Sequence, residues 1–222
     1  MKSLIISGGY LDDEFVEKYI GQGQWDVTIG VDSGMSFFYR TKQVPDYIVG
    51  DFDSVEPKIL ESFLSHQSEE GQKKPIILQF QPEKDETDTE IAIRTAVSQG
   101  CRTIHILGGT GSRLDHVMGN IHLLGMGMEQ GASVILADRN NRIRMMPAGE
   151  LVIKKEEQYG RYVSLLPFTP QVEGLTLTGF KYPLKHAVMQ CYHSLGLSNE
   201  IVEEEAEISF QEGVLLVMES ID

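Results

Sequence analysis

Cysteine is scarce in this chain, which carries only Cys101 and Cys191. They form no CxxC spacing, which excludes a disulfide framework or a cysteine-based zinc site and points to a reducing compartment, the cytoplasm. Cationic side chains are outnumbered: Lys and Arg total 19 against 33 Asp and Glu, a formal net charge of -14. A nucleic-acid binder needs a cationic footprint, so DNA and RNA are excluded as partners. Much of the negative surplus serves solubility, and any part focused in one cleft would be functional. Long apolar runs are missing too. No stretch approaches the ~20 residues of a membrane span. The opening Met1-Lys2-Ser3-Leu4-Ile5-Ile6-Ser7-Gly8 is too short in apolar residues for a signal peptide and reads as a first strand. There are no repeats, low-complexity tracts or long linkers. What is present is 41% hydrophobic and 23% charged over 222 residues. That is ordinary for a soluble globular protein with one large domain or two modest ones.

The first part of the chain alternates strand and helix. Strands are expected at Leu4–Ser7, Val27–Val31, Tyr47–Val49, Ile76–Phe80, Thr103–Leu107 and Val134–Ala137. Helices are expected at Asp12–Ile20, Gly34–Thr41, Pro57–Ser65, Thr87–Gln99 and Asp115–Glu129. Such alternation predicts an α/β domain, a mostly parallel sheet with helices on both faces. Beyond Asp138 the pattern changes to short β-rich runs: Ile143–Met146, Leu151–Ile153, Tyr162–Leu166, Leu175–Thr178, Glu207–Phe210 and Val214–Met218. Turn-prone pairs such as Ala148-Gly149 and Glu212-Gly213 separate them, which predicts an all-β C-terminal sandwich or barrel. Residues 1–138 and 139–222 are therefore expected as two domains, and the acidic run Glu203–Glu207 as a solvated strand edge or loop.

Aspartates gather at the ends of expected strands: Asp51 and Asp53 in Gly50-Asp51-Phe52-Asp53-Ser54, then Asp85 and Asp88 in Lys84-Asp85-Glu86-Thr87-Asp88. Strand ends are where α/β proteins keep their sites. Paired carboxylates suit a hard cation such as Mg²⁺, commonly shared with a substrate's phosphates. On extended backbone Asp51 and Asp53 would point the same way. A turn followed by a Ser54 helix cap fits the first group as well. A capping box on Thr87-Asp88-Thr89-Glu90 fits the second. The recurrence of the pairs after two different strands is what favours the metal reading. Asp32, after the second strand, adds a further strand-end carboxylate.

Gly108-Gly109-Thr110-Gly111-Ser112-Arg113 joins a strand to a helix. Its glycines would let backbone N–H groups approach phosphates, and Arg113 could clamp a phosphate bidentately. It is neither a Walker A loop nor a dinucleotide fingerprint. Asp115 and His116 follow as a helix-cap candidate and a surface histidine.

Taken in order, Val31-Asp32-Ser33-Gly34, Gly50-Asp51-Phe52-Asp53-Ser54, Lys84-Asp85-Glu86-Thr87-Asp88-Thr89-Glu90, Gly108-Gly109-Thr110-Gly111-Ser112-Arg113-Leu114-Asp115-His116 and Leu197-Ser198-Asn199-Glu200 span nearly the whole chain. On these motifs the chain resembles the thiamine pyrophosphokinases. The resemblance implies a two-domain homodimer with an α/β nucleotide domain and a C-terminal β-sandwich. It also implies transfer of the pyrophosphoryl group of ATP to the hydroxyl of thiamine, giving thiamine diphosphate and AMP. By the same resemblance Asp51, Asp53 and Asp88 hold Mg²⁺, and Asp32 and Asp85 line the same acidic pocket. Gly108, Gly109, Thr110, Gly111, Arg113 and Asp115 face nucleotide or thiamine. Ser198 and Asn199 help bind thiamine. Two departures stand out: Ser112 replaces a glycine of many relatives, and Gly196-Leu197 replaces a Ser-Thr pair before Ser198-Asn199.

Two rival readings remain on residues alone. Tyr47–Val55 fits the apolar strand plus DxDx(T/V) of a haloacid-dehalogenase-type phosphatase, with Asp51 as covalent nucleophile. That family carries the motif on its first strand, whereas here it follows the third. A non-catalytic Mg²⁺–nucleotide module is the other rival. An acidic pocket repels ATP without a cation and attracts cationic thiamine, which favours the kinase.

Overall fold

The computed structural model describes residues 1–53, 55–65, 74–81 and 85–222. The chain divides into two compact units, Met1–Arg139 and Asn140–Asp222.

The first unit is built on parallel strands β1 (Lys2–Ile6), β2 (Val27–Val31), β3 (Tyr47–Gly50), β4 (Ile76–Gln79), β5 (Thr103–Leu107) and β6 (Ser133–Ala137). Their order in the sheet is β6-β5-β1-β2-β3-β4, every pair parallel. The connecting helices are α1 (Asp13–Gly21), α2 (Met35–Arg40), α3 (Pro57–Ser65), α4 (Asp88–Ser98) and α5 (Leu114–Glu129). Parallel strands are covered on both faces and so read as continuous apolar runs. Leu4, Ile5 and Ile6 are all buried, as are Ile104, Ile106 and Leu107. One core packs Leu4, Ile6 and Ile48 against Val16 of α1, Phe37 and Phe38 of α2, and Ile59 and Phe63 of α3. Helix α4 returns across the sheet, touching β3, β2 and β1. On α1, Asp12 caps the first turn through Phe15 N at 2.9 Å, and Tyr19 Oη lies 2.7 Å from His105 Nδ1 on β5. The expected cap at Ser54 lies outside the described residues.

The second unit is all β: β7 (Asn141–Lys154), β8 (Tyr162–Pro167), β9 (Gln171–Thr178), β10 (Leu184–Gln190), β11 (Asn199–Glu200) and β12 (Glu205–Ser220). Two of these strands are longer than the sequence pattern suggests. Ala148-Gly149 and Glu212-Gly213 do not end strands; they lie within β7 and β12, where the antiparallel register shifts between Phe210 and Val214. On one side of this corner β12 pairs β9, and on the other it pairs β8. Glycine at such a point lets a long strand bend from one layer into the next. Gly213 sits at φ 103, and a Cβ there would press on Gln171 O at 2.6 Å. The strands β10 and β11 were not anticipated. The acidic run splits, with Glu203 and Glu204 exposed ahead of β12 and Glu207 inside it.

The core of this unit holds Val163, Leu165, Val172, Leu175, Leu177, Ile208, Phe210, Leu215 and Val217. Beside it sits a charge taken fully out of water. Glu219 accepts from Arg142 Nε at 2.8 Å and Nη2 at 2.7 Å, from Arg144 Nη2 at 2.9 Å, and from Tyr159 N at 3.0 Å. A buried carboxylate is tolerable only when its lone pairs are filled in this way. Glu219→Ala leaves two guanidinium groups without their counter-ion, and urea denaturation should show a loss of about 3 kcal/mol. A loss under about 1 kcal/mol would mean that the pair contributes no more than a surface bridge.

Candidate active site

All strands of the first sheet end at one edge, and the loops there carry Asp32, Asp51, Asp53 and the Gly108–Arg113 segment. Between β1 and β5 the connections leave in opposite directions along the sheet, the switch point at which α/β proteins bind ligands. The strands meet closely: Ser7 N donates to Leu107 O at 2.8 Å, Gly9 N to Gly108 O at 2.7 Å and Tyr10 N to Thr110 O at 3.1 Å. Gly108 lies at φ 70, and a Cβ there would strike Ser7 O. The two loops can run side by side only with glycine at that position.

The carboxylates sort into unequal roles. Asp32 opens a 3₁₀ turn after β2 and sits at φ 44, a left-handed conformation. Its carboxyl shares a hydrogen bond with Asp88 and receives the Phe52 N–H, while Asp51 adds charge nearby. Burial, then the Asp88 hydrogen bond and the charges of Asp88 and Asp51, push Asp32 up to about 7 against the pull of Phe52 N–H. Its Oδ1 is buried without a hydrogen-bond partner. A side chain at Gly50 would collide with that oxygen, so the glycine before Asp51 makes room for the carboxyl.

Asp51 and Asp53 do not point the same way along an extended backbone. Phe52 between them is left-handed at φ 66, and Asp51 Oδ1 accepts from Asp53 N at 3.0 Å. This local turn directs Asp51 inward, half-buried, and leaves Asp53 exposed. Left-handed backbone at two non-glycine residues is strain concentrated at the site. Asp85 is exposed in the bend before α4, and Thr87 caps that helix by accepting from Glu90 N at 3.2 Å. Asp88 thus serves a helix start and an acid pair together. Among the described residues no group of three or more His, Cys, Asp or Glu stands ready-arranged to hold a metal ion.

The glycine loop leads into α5. Arg113 and Asp115 form an exposed fork, Nη2 to Oδ2 at 2.6 Å and Nε to Oδ1 at 3.3 Å. The Arg113 hydrogen bond holds the Asp115 carboxyl below its usual range. Asp115 lies in the first turn of α5 but is not its cap, a position taken by Arg113. Sequence reasoning passed over three residues of this region. Asn120 Nδ2 donates to Gly109 O at 2.7 Å, pinning the loop from inside α5. Ser7 and Thr89, both buried, meet at 3.0 Å between their hydroxyls and tie the end of β1 to α4. An asparagine in mid-helix, where its propensity is poor, was the available signal.

In the second unit Ser198 is exposed at φ 54, its N–H donated to Ser164 Oγ at 3.0 Å. Asn199 is buried and its amide is engaged by backbone. Oδ1 accepts from Tyr182 N and Glu200 N, each at 3.0 Å, and Nδ2 donates to Tyr182 O at 2.9 Å. This asparagine fixes the shape of the segment around Ser198.

Residues 22–136 match the family model of the thiamin pyrophosphokinase catalytic domain. Residues 150–215 match that of the thiamin pyrophosphokinase vitamin B1 binding domain. The chain belongs to the thiamin pyrophosphokinase family. Thiamine pyrophosphokinase of Bacillus subtilis is 36% identical over 194 residues, covering 87% of each chain. A crystal structure of that enzyme from Bacillus subtilis superposes with a TM-score of 0.86 at 32% identity over 100% of both chains. The one from Geobacillus thermodenitrificans gives 0.85 at 31%, covering 100% of this chain and 98% of the other. Membership of the thiamin pyrophosphokinase family leaves the phosphatase and the non-catalytic readings without support.

Two outcomes follow from the site geometry. Asp32 binds its proton more tightly folded than unfolded, so cation-free protein loses stability as pH rises from about 4 through about 7. Asp32→Asn cannot ionise, and its thermal midpoint relative to wild type should therefore rise between pH 5 and pH 8 in EDTA. A midpoint difference independent of pH would show that Asp32 is ionised in both states. Asn120→Asp keeps the shape but removes the donor to Gly109 O. Urea denaturation should show a loss of about 1 kcal/mol, and an unchanged stability would mean that the loop holds its form unaided.

Proposed function

We propose that this protein transfers the β,γ-pyrophosphoryl group of ATP to the hydroxyl of thiamine, releasing thiamine diphosphate and AMP. The observation that carries the proposal is the meeting of Asp32, Asp51 and Asp88 at the sheet edge that also bears the Gly108–Arg113 loop. Loop N–H groups and Arg113 hold the phosphates, Arg113 exchanging its Asp115 fork for a phosphate oxygen. Asp115 then faces the cationic acceptor. The thiamine hydroxyl oxygen attacks the β-phosphorus, the bond from that phosphorus to the α,β-bridging oxygen breaks, and AMP leaves with that oxygen. The hydroxyl proton passes to an exposed carboxylate of this edge, Asp53 or Asp85.

Mg²⁺ fits the donor set, because an acid pair with an orphaned, buried Asp32 Oδ1 can be relieved by a cation as well as by a proton. Asp51, Asp53 and Asp88 would hold it, with Asp32 beside them. When bound it offsets the charge that builds on the phosphate oxygens. Ser198 contacts thiamine and Asn199 holds the segment in place. A second copy of the chain covers the exposed apolar side chains Tyr182, Val188, Tyr192, Leu195 and Leu197 of the second unit, giving a homodimer. No helix among the described residues is long and apolar enough to cross a membrane. The free thiols Cys101 and Cys191 suit the cytoplasm.

The protein with Mg²⁺, ATP and thiamine should form AMP and thiamine diphosphate in equal amounts; ADP as product, or turnover without thiamine, would sink the assignment. Asp88→Asn should lower turnover by a factor of about 10² or more. It should also abolish the rise in thermal midpoint that Mg²⁺ alone gives the wild type at pH 8.

A further inference from the structure

Tyr10 has no part in the chemistry above, yet its placement is unusual. It lies in the loop from β1 to α1, and its backbone N–H is bonded to Thr110 O of the glycine loop at 3.1 Å. The residues after it are fixed. Leu11 packs against the core. Asp12 caps α1 and accepts from Arg139 Nη1 at 3.0 Å. Between these anchors the Tyr10 side chain stands in solvent, 68% exposed. Isolated exposed tyrosines are common and usually mean nothing. Tyr39, 40% exposed at the end of α2, is one of them. Tyr10 differs because it stands at the switch point, beside a loop whose glycines present no side chain to cover it.

We propose that Tyr10 is the stacking platform for the nucleobase of ATP, setting nucleotide affinity at the site assigned above. The inference rests on that assignment only in placing a nucleotide at the Gly108–Arg113 loop. In this proposal the base sits one ribose beyond the α-phosphate, on the flank where Tyr10 N is tied to Thr110 O. An aromatic ring stacks on a purine with either face, and a fixed backbone surrenders little further order on binding. Gly111 leaves the approach open: an added Cβ would find Tyr10 N as its nearest atom, 3.7 Å away. The sheet-edge carboxylates supply charge but no flat apolar surface, and Tyr10 supplies one.

The test is calorimetric titration of wild type, Tyr10→Ala, Tyr10→Phe, Tyr10→Trp and Tyr39→Ala with ATP in Mg²⁺, and separately with inorganic tripolyphosphate, which has no base. Tyr10→Ala should weaken ATP about 5- to 100-fold. It should leave tripolyphosphate affinity, the KM for thiamine and kcat as in wild type. Tyr10→Phe, Tyr10→Trp and Tyr39→Ala should bind ATP as wild type does. Unchanged ATP affinity in Tyr10→Ala, an equal loss for tripolyphosphate, or a rise in the KM for thiamine instead would each overturn the inference. Absence of thiamine diphosphate formation by wild type, with the ATP pattern intact, would overturn the proposed reaction and leave the role of Tyr10 standing.

Discussion

A parallel sheet brings every strand to its end at one edge, and the site depends on that geometric constraint. Residues far apart in sequence, Asp32 after β2, Asp51 after β3 and Asp88 at the start of α4, have to share that edge. Gathering carboxylates in half-buried surroundings costs free energy, and the cost shows at Asp32, whose carboxyl is pushed up to about 7 by burial and by Asp88. The local backbone bends to the same end. Phe52 accepts a left-handed conformation, which most side chains avoid, in the turn that sets Asp51 apart from Asp53, and Asp32 accepts another at the start of its own 3₁₀ turn.

The α/β unit was legible because a parallel strand buried on both faces writes itself as an unbroken apolar run, as Leu4-Ile5-Ile6 and Val134-Ile135-Leu136-Ala137 do. Helix α4 announced its start through Thr87, whose hydroxyl takes the Glu90 N–H as the spacing predicts. The β unit was read less well. Glycine next to a turn-prone residue looks like the end of a strand, and nothing local tells a strand that bends from a strand that stops. For β7 and β12 that distinction is settled by partners many residues away.

The candidate site was legible by residue type and less so by orientation. The acidic motifs could be picked out, but the split between inward Asp51 and exposed Asp53 depends on the φ of Phe52, which composition does not reveal. Ser7, Thr89 and Asn120 escaped notice because their role is to hold other groups, and a hydroxyl or amide that bonds to a neighbour across the fold leaves no mark in spacing. Asn199 shows the converse. It was marked as a binding residue, yet its amide is committed to the backbone of Tyr182 and Glu200.

The shared strands of the β unit have a consequence for how it comes apart. β7 and β12 run past their glycine corner and serve in both layers, so each layer is hung on the same two backbones. Neither layer can be peeled away as a separate piece, because the ladder that would have to open continues into the other. Slow amide exchange should therefore fade from both layers at one common rate, the behaviour of a single foldon. The bend that hides the strands from a sequence reader also makes the two layers a single cooperative body.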